Sequence, residues 1–546
     1  MRVEGRPMQV RRSRQQLTRR LVGPFVVLLV MGGAGGFAAG GKQETRVLAA
    51  SAALASPAAP AAACADMTRL TLPDTTINSA TTVPTAGPVP EYCKVLGTVE
   101  GAIRFEVSLP VTAWNGKFSF AGGGGYNGSI PTLAHLLARG YAAAGTDTGH
   151  QGSDMMWALD SRAKLNYGHR ATHLVTERAK EIVRAYYGQD EQRSYWVGCS
   201  NGGKMGLMEI QRYPDDYDAA LIGNFVIDRS ALSMSYAWNA QALAPAPIAP
   251  AKTKAIATAT LAACDAQDGL VDGLIDQPDK CTFDPKSLMC PTSTSGSGGE
   301  DCLTPAQVTA LEKIWEGPRN SAGEQLFPGF PPGYEYDYPR YITGTGRLSS
   351  YGSSQWRFQD TFMRFFAFGP EFLAVAEFDF DKHPAQLKVA AEHQDAANPN
   401  LSAFKARGGK LIMYHGWADH SITPLRTIKY YQDVRQEHGG STDEFVRLFM
   451  VPGLHHCTGG PGPNNFGGRG QFVAKDDAEN DIVIALDRWV EQGIAPDRLI
   501  ATKFVNDDPQ QGVARTRPLC RYPQVARWTG SGSIDDAANF VCANPQ

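Results

Sequence analysis

The chain carries no strong excess of charge of either sign. Its 52 Lys and Arg stand against 55 Asp and Glu, a formal net charge of −3 over 546 residues. The basic residues are unevenly placed. Residues 1–50 hold eight Arg and Lys42 against Glu4 and Glu44, which leaves the rest of the chain near about −10. A mildly acidic chain argues against a general nucleic-acid binder. The sequence shows no internal repeat, which argues against solenoid and propeller architectures. Cysteine is absent from the first 63 residues, and all ten cysteines follow.

What is present at the N-terminus reads as a signal peptide. Arg11, Arg12, Arg14, Arg19 and Arg20 precede an apolar run from Leu21 to Met31, and an Ala/Gly-rich stretch follows. That is the order of charged, apolar and small-residue regions in an export signal. We assign residues 1–50 to it, with cleavage within about 38–63. A membrane anchor is the competing reading, but the run becomes Gly-rich towards Gly40. No membrane association is expected after removal, and the product is expected to be secreted or periplasmic. An even number of cysteines fits an oxidising compartment. Spacing does not fix their connectivity. Proximity suggests Cys64–Cys93, Cys264–Cys281, Cys290–Cys302 and Cys520–Cys542, which leaves Cys199 and Cys457.

Residues 51–63 form an Ala/Pro-rich linker. Strands are then predicted at Val95–Val99, Ile103–Val107, Lys117–Ala121 and from Tyr141, with a helical pattern over Ile130–Arg139. Helix His173–Tyr187, strand Arg193–Gly198, helix Lys204–Tyr213 and strand Ala219–Ile222 continue the alternation, which predicts parallel strands covered on both faces. The rhythm breaks over 228–398, where four cysteines, a Gly/Ser tract and many aromatics crowd together. It resumes with strand Lys410–Tyr414, helix Pro424–Glu437, strand Val446–Val451 and helix Ala478–Gln492. The expectation is an α/β-hydrolase core over 64–227 and 399–546, with 228–398 inserted as a lid domain.

Gly198-Cys199-Ser200-Asn201-Gly202 matches G-x-S-x-G between a predicted strand and a predicted helix. A serine on such a turn projects its hydroxyl above the sheet, and the helix N-terminus favours developing negative charge. A hydroxyl is a poor nucleophile without a base and an orienting acid. In this fold the order is Ser, then Asp or Glu, then His, the last two in loops after later strands. Asp419 and His456 occupy those places. His455 competes with His456. A Cys199–Cys457 bond would select His456, because it would join the residue before Ser200 to the residue after His456. His455-His456-Cys457 lacks the spaced partners of a metal site. Oxyanion donors are expected from the Asn201 amide and from Gly122–Gly125, with Gly125 favoured.

With these motifs the chain resembles the tannase and feruloyl esterase family. Gly-Cys-Ser-Asn-Gly-Gly at 198–203, Tyr-His-Gly-Trp-Ala-Asp at 414–419, Val-Pro-Gly-Leu-His-His-Cys at 451–457 and Trp114-Asn115-Gly116 carry the resemblance, from about Cys64 to the C-terminus. It implies an α/β-hydrolase core with a large lid, five disulfides, and Gly125 as the second oxyanion donor. The substrates it implies are small esters of aromatic acids: feruloyl or galloyl esters, or terephthalate monoesters. It also implies a structural Ca²⁺ in the lid, bound by the side chains of Asp265, Asp268 and Asp272 and the carbonyls of Leu270 and Leu274. An acyltransferase on the same residues and a non-catalytic binding protein are the rival classes. Tyr334, Tyr336, Tyr338, Tyr341, Tyr351, Trp356, Phe358, Phe362, Phe365, Phe366 and Phe368 read mostly as lid core, and none is assigned to binding. Oligomeric state is left open.

Overall fold

The computed structural model describes residues 59–291, 299–345 and 352–545. The signal segment, the linker up to residue 58, most of the Gly/Ser tract and Tyr351 lie outside the described residues. No helix of the described residues is long and apolar enough to cross a membrane.

One nine-stranded sheet organises the core. Its strands are β1 (Thr75–Val83), β2 (Tyr92–Val99), β3 (Ile103–Pro110), β4 (Lys117–Ala121), β5 (Ala142–Thr146), β6 (Arg193–Cys199), β7 (Ala219–Gly223), β8 (Lys410–Gly416) and β9 (Val446–Val451). They lie in the order β1-β2-β3-β5-β4-β6-β7-β8-β9. The pairings from β1 to β5 through β2 and β3 are antiparallel, and those from β5 to β9 are parallel. This is the α/β-hydrolase arrangement with one additional edge strand.

Burial follows from that topology. Strand β2 alternates between buried and half-buried residues, whereas β7 and β9 are buried throughout. Parallel strands covered on both faces read as near-continuous apolar runs. On one face, Phe118, Trp196 and Met413 pack with Val175, Leu207 and Tyr430 from helices Ala171–Tyr187, Asn201–Arg212 and Pro424–His438. On the other, Val197, Ile412 and Phe449 meet Leu136, Leu486 and Trp489.

The described residues of segment 228–398 contribute no strand to the sheet. Helices Arg229–Leu243, Pro250–Cys264, Pro305–Glu316, Ser354–Thr361 and His383–Gln394 surround a separate apolar cluster that includes Leu243, Leu311, Phe330, Tyr338 and Phe362. Two short C-terminal sheets follow the core, β10 (Arg498–Phe504) with β11 (Val513–Cys520), and β12 (Val525–Trp528) with β13 (Phe540–Ala543).

The helix expected over Ile130–Arg139 is only Ala134–Leu137. Pro131 holds the residue before it away from helical angles, and Gly140 at φ 79° closes the other end. The helix expected from Ala478 begins instead at Ile482, where Asp481 accepts from the Val483 and Ile484 amides.

The β2–β3 hairpin turns through Glu100 and Gly101 at φ 50° and 70°, the left-handed pair that a tight hairpin favours. Glu100 receives both terminal nitrogens of Arg170 and one from Arg162. Arg170 lies in a π-helical turn, Asn166–Arg170, beside the site described below. The Arg170 contact, opposed by burial and helped by Arg162, lowers the Glu100 carboxyl from 4.5 to about 2. A depressed carboxyl contributes stability above its unfolded pKa and loses it as pH falls through the folded one. Glu100→Gln should therefore flatten the loss of stability between pH 4.5 and about 2, as read by denaturant unfolding at stepped pH. An unchanged acid limb would show that the pair contributes nothing.

Candidate active site

Ser200 sits between β6 and helix Asn201–Arg212 at φ 60°, ψ −128°. A non-glycine residue holds such a backbone only when its surroundings enforce it. The Ser200 amide donates to Gly223 O at 3.0 Å, and its carbonyl accepts from Gly203 at 3.1 Å. The glycines of the motif have a steric reason. A Cβ on Gly198 would lie 2.3 Å from Gly202 O, and one on Gly122 would lie 2.5 Å from the same oxygen. The turn and the Gly-rich loop after β4 touch backbone to backbone.

Asp419 follows β8 and His456 follows β9. The His456 Nδ1 lies 2.8 Å from Asp419 Oδ2. Asp419 is fully buried. Its Oδ1 accepts from the Ser421 and Ile422 amides at 2.8 and 3.0 Å, and its Oδ2 also accepts from Asn224 Nδ2 at 2.8 Å. Burial alone would raise this carboxyl. The His456 and His415 imidazoles outweigh burial and hold it far below the usual carboxylate range. Asp419 is thus an ionised, fixed acceptor for an imidazole N–H.

The two histidines diverge. His455 turns to the inserted segment, with Nε2 3.1 Å from the Tyr336 hydroxyl and Nδ1 3.7 Å from Asp337. Burial lowers it to about 4. His456 faces Asp419 and lines a cavity of about 450 Å³ together with Ser200, Gly124 and Gly125. Cys199 and Cys457 are bonded, with Cα atoms 6.0 Å apart. The other four pairs suggested by proximity also form.

Asn201 is the first residue of its helix, where an amide has no intrahelical acceptor. Tyr167, which sequence reading missed, ties the two expected oxyanion residues together. Its hydroxyl lies 2.8 Å from Asn201 Oδ1 and 3.1 Å from Gly125 O. Nothing local in the sequence marks it, because the turn that delivers it is held by the Arg170–Glu100 pair. Of the aromatics in the inserted segment, Tyr341 and Phe358 line the cavity, while Tyr334, Tyr338, Phe362 and Phe366 are buried.

The five residues expected to hold a cation lie in one loop. Asp265 accepts from the Asp272 and Gly273 amides, Asp268 from Leu270, and Asp272 from Leu274, at 2.9–3.2 Å. Asp276, absent from the expected set, joins them. It is buried, and burial plus the charges of Asp268, Asp272 and Asp265 raises it to about 7. Arg515 and Arg517 pair only with Asp272 in this group. Several carboxylates with too few cationic partners suit a hard, oxygen-seeking cation.

An elbow serine, a paired imidazole and carboxylate, and a glycine loop on an α/β-hydrolase sheet define a hydrolase-type site. Residues 89–543 match the family model described as tannase and feruloyl esterase. An uncharacterised esterase of Xanthomonas campestris is 37% identical, over 91% of this chain and 94% of its own. The mono(2-hydroxyethyl) terephthalate hydrolase of Piscinibacter sakaiensis is 32% identical, over 86% and 87%. The crystal structure of feruloyl esterase B from Aspergillus oryzae superposes with a TM-score of 0.78 at 26% identity, covering 88% of this chain and 99% of that one. The chain belongs to the tannase and feruloyl esterase family and is a carboxylic ester hydrolase of that type.

The Cys199–Cys457 bond spans 258 residues. In the chain-entropy model a loop of that size contributes about 5 kcal/mol. The double variant Cys199→Ser, Cys457→Ser should lose stability of about that order and lose esterase activity even where it remains folded. Denaturant unfolding and kcat/KM measure the two effects, and unchanged kinetics would show that the bond does not position His456.

Proposed function

We propose that the chain is an exported serine esterase acting on small esters of aromatic acids, of feruloyl or galloyl type, through an acyl-enzyme. The observation that carries this reading is the 2.8 Å contact between His456 and buried Asp419, on a loop bonded through Cys457 to the neighbour of Ser200. His456 takes the Ser200 proton as the hydroxyl attacks the ester carbonyl. The amides of Gly125 and Asn201 receive the oxyanion, held in place by Tyr167. His456 then protonates the departing alcohol, and the acyl group remains on Ser200. Water activated by His456 releases the acid. Asp419 fixes the imidazole tautomer and stabilises its charged form.

The relative named for terephthalate monoesters favours a second reading, in which the acid is an aromatic diacid. A hydrolysis panel of feruloyl, galloyl and terephthaloyl monoesters separates the two. Five disulfides support export to an oxidising compartment.

Ser200→Ala should lower kcat/KM by about 10⁴-fold or more while the fold survives. A fluorophosphonate should label the native chain at Ser200 and leave the variant unlabelled. Substantial residual hydrolysis would exclude Ser200 as nucleophile.

We further propose that Asp265, Asp268 and Asp272, with the Leu270 and Leu274 carbonyls, hold a structural Ca²⁺, and that Asp276 adds to its field. A bound ion would relieve the repulsion among these carboxylates and brace the loop. Its role is structural, and no chemical step is assigned to it. Chelation should lower Tm, and added Ca²⁺ should restore it. A Tm indifferent to both would remove the site.

A further inference from the structure

The cavity above Ser200 is lined by four arginines, Arg229, Arg340, Arg357 and Arg469, and by no aspartate or glutamate. None of the four is ion-paired among the described residues. That is unusual on a chain where acidic residues outnumber basic ones beyond the N-terminal segment. Arg340 and Arg357 are exposed at the rim. Arg229 is different. It is only 2% exposed, and its Nε has no hydrogen-bond partner. Its guanidinium stands 5.2 Å from the Tyr126 ring and 5.5 Å from the Phe358 ring. Tyr126 is fixed in turn, because its hydroxyl donates to Phe358 O at 3.0 Å.

A buried guanidinium without a counter-charge is costly. Two aromatic faces offset part of that cost, and the Tyr167 side chain approaches the group as well, but no carboxylate answers the N–H fork. A planar fork of donors facing a cavity matches a carboxylate, which it can bind through two parallel hydrogen bonds. Lys204 lies buried beneath the same region with its Nζ 4.5 Å from the Tyr167 ring, and burial, with the Arg229 charge, lowers its amine from 10.5 to about 7, so it supplies no counter-charge to Arg229.

Resting on the esterase reading above, we infer that the preferred substrate carries a second, ionised carboxylate, and that Arg229 is the residue that reads it. The carboxylate belongs either to the acid half of the ester or to the alcohol half. The arginines at the rim draw the anion in, and the buried one orients it. An ester lacking the charge leaves Arg229 without a counter-charge in the bound state, so selectivity comes as much from rejection as from attraction.

Two matched pairs of esters test this. Methyl 4-carboxybenzoate against methyl 4-carbamoylbenzoate places the charge on the acid half. Benzoylglycolate against benzoylglycolamide places it on the alcohol half. In at least one pair kcat/KM should favour the carboxylate by about tenfold or more, the worth of one charge-assisted hydrogen-bonded pair, and the pair that responds identifies the half. Arg229→Gln should erase that ratio, whereas Arg357→Gln should reduce it only in part. A ratio near one in both pairs, or a ratio untouched by Arg229→Gln, overturns the inference. Protection of Ser200 from a fluorophosphonate is a readout that needs no turnover. Benzene-1,4-dicarboxylate should protect at concentrations about tenfold below those of its diamide, and equal protection likewise overturns the inference. Labelling of Ser200 with no charge preference defeats the carboxylate inference alone. Absence of labelling defeats the esterase reading itself.

Discussion

The bond between Cys199 and Cys457 resolves a distance problem set by the sheet. Strands β6 and β9 are separated by β7 and β8, three strand spacings or about 14 Å. Yet the Cα atoms of residues 199 and 457 lie 6.0 Å apart. The loop after β9 must therefore double back across the ends of two strands to bring His456 over Ser200. Loops that run over a surface are ordinarily the mobile parts of a fold. Here one covalent bond removes that freedom directly beside Ser200 and His456.

What lies beneath the returning loop keeps it at the right height. Asn224, just after β7, donates to Asp419 Oδ2 and to the His455 carbonyl at 2.8 and 3.2 Å. It thereby links the ends of β7, β8 and β9 through one amide. Asp419 is buried, and its charge is stabilised by fixed N–H donors and two imidazoles rather than by water. Groups oriented in advance do not have to reorganise when an imidazolium forms beside them. The Gly-rich loop is positioned separately, through the Gly122–Gly202 backbone contact and through Tyr167. Two sets of interactions, one covalent and one steric, thus converge on the same serine.

The parts legible from sequence are those whose chemistry is local. Gly198 and Gly202 flank Ser200, and their spacing reports the close approach that the turn requires. Strands β4, β6, β7 and β9 read clearly because they are apolar and bounded by turns. Strand β1 escapes such a reading because its Thr-rich face is half exposed, so it lacks a clean alternation. The C-terminal strands escape it for a similar reason. Strand β11 begins with exposed Val513 and Ala514 and runs on through arginines. Tyr167, Asn224, Asp276 and Arg229 are not legible at all. Each acts through contacts that its own neighbourhood in the sequence does not announce, and nothing there distinguishes it from an ordinary core or surface residue.

A division of labour within the cavity explains why the reaction class is easier to read than the substrate. The core supplies Gly125, Ser200 and His456, all on turns that leave strands of one sheet. The inserted segment supplies Arg340, Tyr341, Arg357 and Phe358, from helices and turns packed around their own apolar cluster. On the proposed mechanism, ester hydrolysis constrains the first set to a narrow geometry, so its residue types and spacing carry a signature. Recognition constrains the second set only by shape and charge, which many sequences satisfy. Arg229 stands where the two meet, on the first helix after β7 and beside Phe358. On the mechanism and the inference proposed above, a guanidinium at that junction couples what the inserted segment admits to what Ser200 attacks, and its charge is the feature of the cavity that a substrate must answer.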